Sequence, residues 1–158
     1  MCKFEIVVAV PSQANEICSV LRRSITEVCG PDYGNDRAVL EDWLSNKTPA
    51  NVTNWVSGGE SFSVVAKSDA VIVGFALLKE GEILLNYVIP EYFGKGAGAQ
   101  MLAALEEWAR SQGVPELRCM STITAKHFYE RNGFVLSGNP KYVGGILGEF
   151  PLSKRVGI

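Results

Sequence analysis

The run Gly94-Lys95-Gly96-Ala97-Gly98 is where residue type and spacing in this chain point most directly to chemistry. Glycines let backbone N–H groups turn toward a ligand, and a helix beginning just after them adds a positive dipole end. An anion suits such a place, with phosphate the first candidate. The pattern is not G-x-x-x-x-G-K-[ST], because no Ser or Thr follows a lysine at the required place. Nor is it G-x-G-x-x-G, since Ala99 and Met101 stand where a third glycine is needed. Taken alone, the run is also compatible with a plain flexible turn.

Other reactive side chains are few. The four cysteines, Cys2, Cys18, Cys29 and Cys119, are scattered with no C-x-x-C pair, and His127 is the single histidine. A metal site is therefore not expected, and the cysteines read as reduced, buried thiols, Cys119 being the one to follow. His127 stands two positions from Tyr129, about 200° around a helix, so the two should not share a face.

The elements that must position these residues can be placed by pattern. Lys3 to Val10 reads as a strand stopped by Pro11. Ser12 is expected to cap a helix carrying Ile17, Leu21, Ile25 and Val28, which Gly30-Pro31 ends. A polar turn over Asp32 to Asp36 leads to a short helix over Ala38 to Leu44, and Thr48-Pro49 starts another that runs to Ser57. Strands follow over Ser61 to Lys67, Ala70 to Lys79 and Glu82 to Ile89, with turns at Ser68-Asp69 and Glu80-Gly81. After the glycine run, Met101, Leu102, Leu105, Trp108 and Ala109 form one apolar helical stripe. Glu116 to Met120 is a strand, Ile123 to Asn132 a helix, Phe134 to Leu136 a strand, and Ile146 to Phe150 a last strand ended by Pro151. This order predicts an α+β fold around a mixed sheet.

With 158 residues, 47% hydrophobic, the chain can bury one core, and residues 1–158 are read as a single domain. A net charge of −2 provides no basic field for nucleic acid. The apolar runs are too short to cross a bilayer and no cleavage site follows the first of them, so the expected location is cytoplasmic, with no membrane partner.

With the glycine run placed between a strand end and a helix start, the chain resembles the GNAT superfamily of acyl-CoA-dependent N-acyltransferases. The resemblance rests on Glu82-Ile-Leu-Leu-Asn-Tyr-Val-Ile-Pro90, Gly94-Lys-Gly-Ala-Gly98, the amphipathic helix, and Ala125-Lys-His-Phe-Tyr-Glu-Arg-Asn-Gly-Phe134, four elements in the family's order within residues 82–134. It implies a mixed, mostly antiparallel sheet splayed between the fourth and fifth strands and flanked by helices. It implies acetyl-CoA as the acyl donor and an amine acceptor on a small molecule or peptide, attacked directly in a ternary complex. A homodimer is common in the family. On the same resemblance, Gly94, Lys95, Gly96, Ala97, Gly98 and Ala99 wrap the CoA pyrophosphate. Tyr87, Val88 and Ile89 pair their backbone with pantetheine, and Thr122 stands where many members place an Asn that contacts the cofactor arm. The family's leading Gln or Arg falls on Phe93, so one phosphate contact is replaced by a phenyl ring.

An amine with a lysine-like pKa is neutral in only about one molecule in 2,500 at pH 7, so a proton acceptor helps. By its spacing before Phe93, Glu82 matches the glutamate base of histone-type members, and simple alternation would put it on one face with Leu84, Asn86 and Val88. A solvated glutamate after the Glu80-Gly81 turn is the alternative. Leu117 occupies the position where ribosomal-protein-type members carry their glutamate, Glu116 faces away, and Asn86 or Tyr87 could relay through water. Tyr129 matches the family's tyrosine near the thioester sulfur. Full proton transfer from a phenol to a thiolate is uphill by roughly 2 kcal/mol, so a stabilising hydrogen bond is as good a reading. Lys95, Lys126 and Arg131 are candidates for CoA phosphates. The acceptor site is expected from the first helices and the Cys29 to Asp36 loop, where Asp32, Asp36, Glu41 and Asp42 would attract an ammonium unless they serve as caps; Trp43 and Trp55 line it or join the core. A non-catalytic acyl-CoA-binding sensor or interaction module is the other class of reading.

Overall fold

The fold is described from a computed structural model covering residues 3–143 and 146–157. Cys2, read above as a thiol, lies outside the described residues. In chain order the elements are β1 (Glu5–Val8), α1 (Ala14–Val28), α2 (Gly30–Tyr33), α3 (Arg37–Leu44), α4 (Pro49–Ser57), β2 (Ser61–Ser68), β3 (Val71–Lys79), β4 (Glu82–Val88), α5 (Ala97–Ser111), β5 (Glu116–Ser121), α6 (Ile123–Arg131), β6 (Val135–Leu136), β7 (Lys141–Val143) and β8 (Ile146–Arg155). The strand order is β1-β2-β3-β4-β5-β8-β6, with β7 paired to β8. β4 and β5 run parallel and the other pairs antiparallel, giving the mixed α+β sheet that the sequence implies.

β3 is buried along its whole interior because helices cover both faces: α1 packs on one and α5 on the other. Ile17, Leu21 and Ile25 of α1 are fully buried, as are Met101, Leu105 and Ala109 of α5. These are the stripes that the 3.6-residue period predicts. Trp108 of α5 stacks on Phe62 of β2 at 4.9 Å between ring centroids.

The parallel β4–β5 pairing consists of Glu82–Arg118 and Ile83–Cys119. Beyond Ile83 the two strands part, and β4 continues to Val88 with one edge open. Opposite β3, Leu77 pairs with Leu85 and Leu78 with Ile83, so Leu84 is an extra residue in β4. Such a bulge bends the strand and breaks its alternation.

Several local expectations are revised. Ser12 does not cap α1: the chain enters through a tight turn over Pro11–Gln13, where Gln13 Oε1 accepts from Val10 N at 2.9 Å. Gly30-Pro31, expected only to end α1, begins the short helix α2, which takes in the first two residues of the expected Asp32 to Asp36 turn before Gly34 turns the chain at φ 62°. The β2–β3 turn is Asp69-Ala70, both at positive φ, a twist that suits a two-residue hairpin loop. Pro151 does not end the last strand. β8 runs through it, since Pro151 O accepts from Ser137 N at 2.8 Å, so the missing N–H lies on the side where two-residue β6 gives out.

Candidate active site

The glycine run joins β4 to α5 and is tied down before it begins. Pro90–Tyr92 forms a single helical turn, and Glu91 holds a two-bond ion pair with Arg23 of α1 at 3.0 and 2.6 Å. Gly96 occupies the position preceding α5 at φ 97°, a region that side chains avoid. Among the described residues no side chain caps α5, so the N–H groups of its first turn have no intrahelical or capping partner. At Gly98 a Cβ would stand 3.3 Å from the Phe128 ring, so glycine lets α5 and α6 approach closely there.

These amides line a cavity of about 610 Å³. Gly94, Lys95, Gly96, Ala97, Gly98 and Ala99 form one wall. Tyr87 and Val88 of β4, Thr122 before α6 and Tyr129 within it form others, so the structure brings together ten of the candidate residues. Ile89 is not among the lining residues. Its N–H donates to Val73 O at 2.9 Å and its carbonyl accepts from Tyr92 N at 3.0 Å. That bond settles the phase of the strand. Antiparallel pairing alternates, so with Ile89 and Tyr87 facing β3, the backbone groups of Val88 and Asn86 point into the opened gap toward β5.

Glu82 is placed elsewhere. It lies at the closed end of the splay, opposite Arg118 and six residues from Val88, or about 20 Å along the strand. The Leu84 bulge also reverses its face: through their β3 partners, Asn86 goes with Ala76 and Ile83 with Leu78, whereas Glu82 goes with Lys79 on the opposite face. Simple alternation had put Glu82 with Asn86 and Val88. A second, narrow groove of about 50 Å³ runs between the splayed strands from Tyr129, Asn86 and Thr122 to Ile83 and Cys119. Its far end adjoins Glu82, whose charge adds to the effect of burial in pushing the Cys119 thiol up from its ordinary 9.0 to about 12.

Tyr129 is 6% exposed and lines both spaces, its ring edge-on to Phe128 and Phe134 at 5.1 and 5.2 Å. Burial holds its hydroxyl, and that of Tyr87, well above the usual phenol range. Cys29 lines the main cavity too; burial and then the Asp32 charge raise its thiol to about 12. Thr122 Oγ1 accepts from Ala125 N at 3.3 Å, which caps α6 and leaves its O–H free to donate. Asn86 Oδ1 and Thr124 Oγ1 are buried without a hydrogen-bond partner among the described residues.

The acidic stretch has structural work. Asp36 caps α3 through Ala38 N and Val39 N, Glu41 pairs with Arg37, and Asp32 Oδ1 accepts from Thr124 N at 2.8 Å, bridging α2 to α6. Trp43 packs against Tyr33 and Trp55 against the core. His127 is exposed, and Lys126 is held by Glu130. Ser24, Thr124 and Phe128 line the cavity without having been singled out from sequence; they come from helices whose relative placement a linear pattern does not give. Among the described residues, no group of three or more His, Cys, Asp or Glu is placed to hold a metal, and no helix is long and apolar enough to cross a membrane.

Residues 29–149 match the family described as acetyltransferase (GNAT) domain. The chain belongs to this family. The GNAT domain is similar over 98% of its length, and 97% of the other chain, to a GCN5-related N-acetyltransferase structure from Rhodopseudomonas palustris, with TM-score 0.85 and 26% identity. It shares its fold with the PaiA N-acetyltransferase of Thermoplasma acidophilum, solved in complex with coenzyme A: TM-score 0.80, 22% identity, 98% and 99% of the two chains. An amino-acid acetyltransferase of Pseudomonas putida is 36% identical over 84 residues, which are 50% of this chain and 19% of that protein. The match thus spans about a fifth of the length of that curated relative.

Proposed function

We propose that this GNAT domain transfers an acetyl group from acetyl-CoA to a primary amine of a small molecule or peptide, by direct attack in a ternary complex. The observation that carries the reading is the continuous path in the 610 Å³ cavity from the glycine-run amides, along the open Val88 edge, to the Tyr129 hydroxyl. The pyrophosphate sits on the amides of Gly94 to Ala99, and pantetheine follows Tyr87 and Val88. Thr122 donates to the cofactor arm. The amine enters from the side of Ser24, Val28 and Cys29.

The nitrogen lone pair attacks the thioester carbonyl carbon, and the oxyanion takes a hydrogen bond from the Val88 N–H. The C–S bond then breaks. Tyr129 donates a hydrogen bond to the departing thiolate, and its raised pKa favours that role over giving up the proton. Glu82 lines neither the cavity nor the narrow groove, so it accepts the amine's proton by relay along a chain of waters through that groove. Direct attack is supported by Cys29, a thiol that is protonated at neutral pH and a poor acyl carrier.

The absence of any Asp or Glu among the described residues lining the main cavity favours a second reading, a non-catalytic acyl-CoA-binding module. The two part in one experiment. The protein is incubated with acetyl-CoA and a panel of primary amines, including amino acids and short peptides. Released thiol and acetylated amine are then quantified together. Equal amounts of both support transfer; acetyl-CoA binding without either product supports the module.

A further inference from the structure

The mouth of the cavity carries an exposed aromatic ring that the proposed function does not use. Phe93 is 59% exposed and lines the cavity beside Gly94 and Lys95. Its backbone is fixed, since its N–H donates to Pro90 O at 3.2 Å, just after the turn anchored by the Arg23–Glu91 pair. The neighbouring Tyr92 is engaged, packed edge-on against Phe4 at 5.8 Å with Lys95 Nζ 5.6 Å from its ring centre. Phe93 has no such ring contact among the described residues. A ligand that covers this ring removes apolar surface from water, which adds to its binding.

The groups around it say what that something is. Two cations line the same cavity, Lys95 and Arg131, and no carboxylate among the described residues accompanies them. Arg131 makes no ion pair or side-chain hydrogen bond among the described residues, whereas Lys126 one turn earlier is held by Glu130 at 2.8 Å. Cations with no carboxylate partner and open helix-end amides select phosphate, and a free aromatic face selects a flat ring. A nucleotide carries both.

We propose that Phe93 is the stacking platform for the adenine base of the donor, with Lys95 and Arg131 taking its phosphates. The inference rests on the acetyl-CoA reading above and adds a residue to it. It also explains how a phenyl ring serves where a polar side chain would have met phosphate: a stacking contact replaces an ionic one.

Calorimetric titration of the wild type, Phe93→Ala, Phe93→Leu and Phe93→Trp with CoA and with 4′-phosphopantetheine tests it. Phe93→Ala and Phe93→Leu are expected to weaken CoA about tenfold or more, leaving phosphopantetheine within about twofold, while Phe93→Trp retains CoA. Leucine keeps apolar bulk without a π face and guards against a folding defect in the alanine variant. Unchanged CoA affinity in both variants overturns the platform, and so does an equal loss for both ligands, which would put the ring against the pantetheine arm. A wild type that binds phosphopantetheine as tightly as CoA overturns the platform while leaving the donor site standing. A wild type that binds neither overturns the donor reading and the platform with it.

Discussion

The Tyr129 hydroxyl is the residue on which transfer and mere binding differ. Tyr129 is packed among aromatic rings and lines both the main cavity and the groove between β4 and β5. Tyr129→Phe keeps the packing and removes one donor. We expect turnover to fall roughly 100-fold with CoA affinity unchanged, measured by steady-state thiol release and calorimetry. Glu82→Gln tests the water-mediated base. Its turnover at neutral pH should fall by a similar factor without a change in acetyl-CoA affinity, and wild-type kcat in this variant would remove Glu82 from the mechanism. The cap alternative weighed for the acidic stretch holds at Asp36, and it could be weighed from sequence because caps are local, two and three residues from cap to bond. Arg131 was not separable from Lys126, since only the placed helix reveals which faces the cavity and which meets Glu130.

At the scale of elements, the two tight turns and the glycine run set the geometry. Ala70 occupies φ 68°, where a side chain is strained and glycine is not. Ala70→Gly should stabilise the protein by about 0.5 kcal/mol despite the added freedom of the unfolded chain, raising Tm by about 1–2 °C in a calorimetric scan. Gly96→Ala asks the reverse of the loop before α5. Forcing a Cβ at φ 97° should cost about 1–2 kcal/mol, read as weaker CoA binding more than as a lower Tm. Most elements could be read from periodicity and punctuation, because the α1 and α5 stripes and the Pro and Gly stops act locally. The Leu84 bulge could not. One inserted residue reverses every side chain on one side of it, and nothing in Glu-Ile-Leu-Leu-Asn announces where alternation breaks. For that reason the residues singled out by the family resemblance fall together along one cavity, while the face that simple alternation assigned to Glu82 did not survive. Pro151 misled for a related reason: a proline stops a strand only if its missing N–H faces a neighbour, which depends on the unseen partner β6.

For the molecule as a whole, the same burial that shapes the cavity fixes its response to alkali. Cys29 and Cys119 move from an ordinary 9.0 to about 12 in the fold, and Tyr87 and Tyr129 move upward as well. Each group binds its proton more tightly folded than unfolded. Their contribution to stability is therefore complete below pH 9, and it is lost as pH rises through about 12. Denaturant midpoints should hold between pH 7 and 9 and then fall, and replacing Cys29 by Ser should shrink that fall. The placement of helices on both faces, the parting of β4 from β5 and the main cavity beside them belong to this scale too. They make one claim, that the cavity is built for an acyl-CoA donor. Titration of the wild-type protein with acetyl-CoA at neutral pH, followed by calorimetry, tests it most directly. One site with micromolar affinity is expected, and an absence of binding at millimolar acetyl-CoA would contradict the assignment.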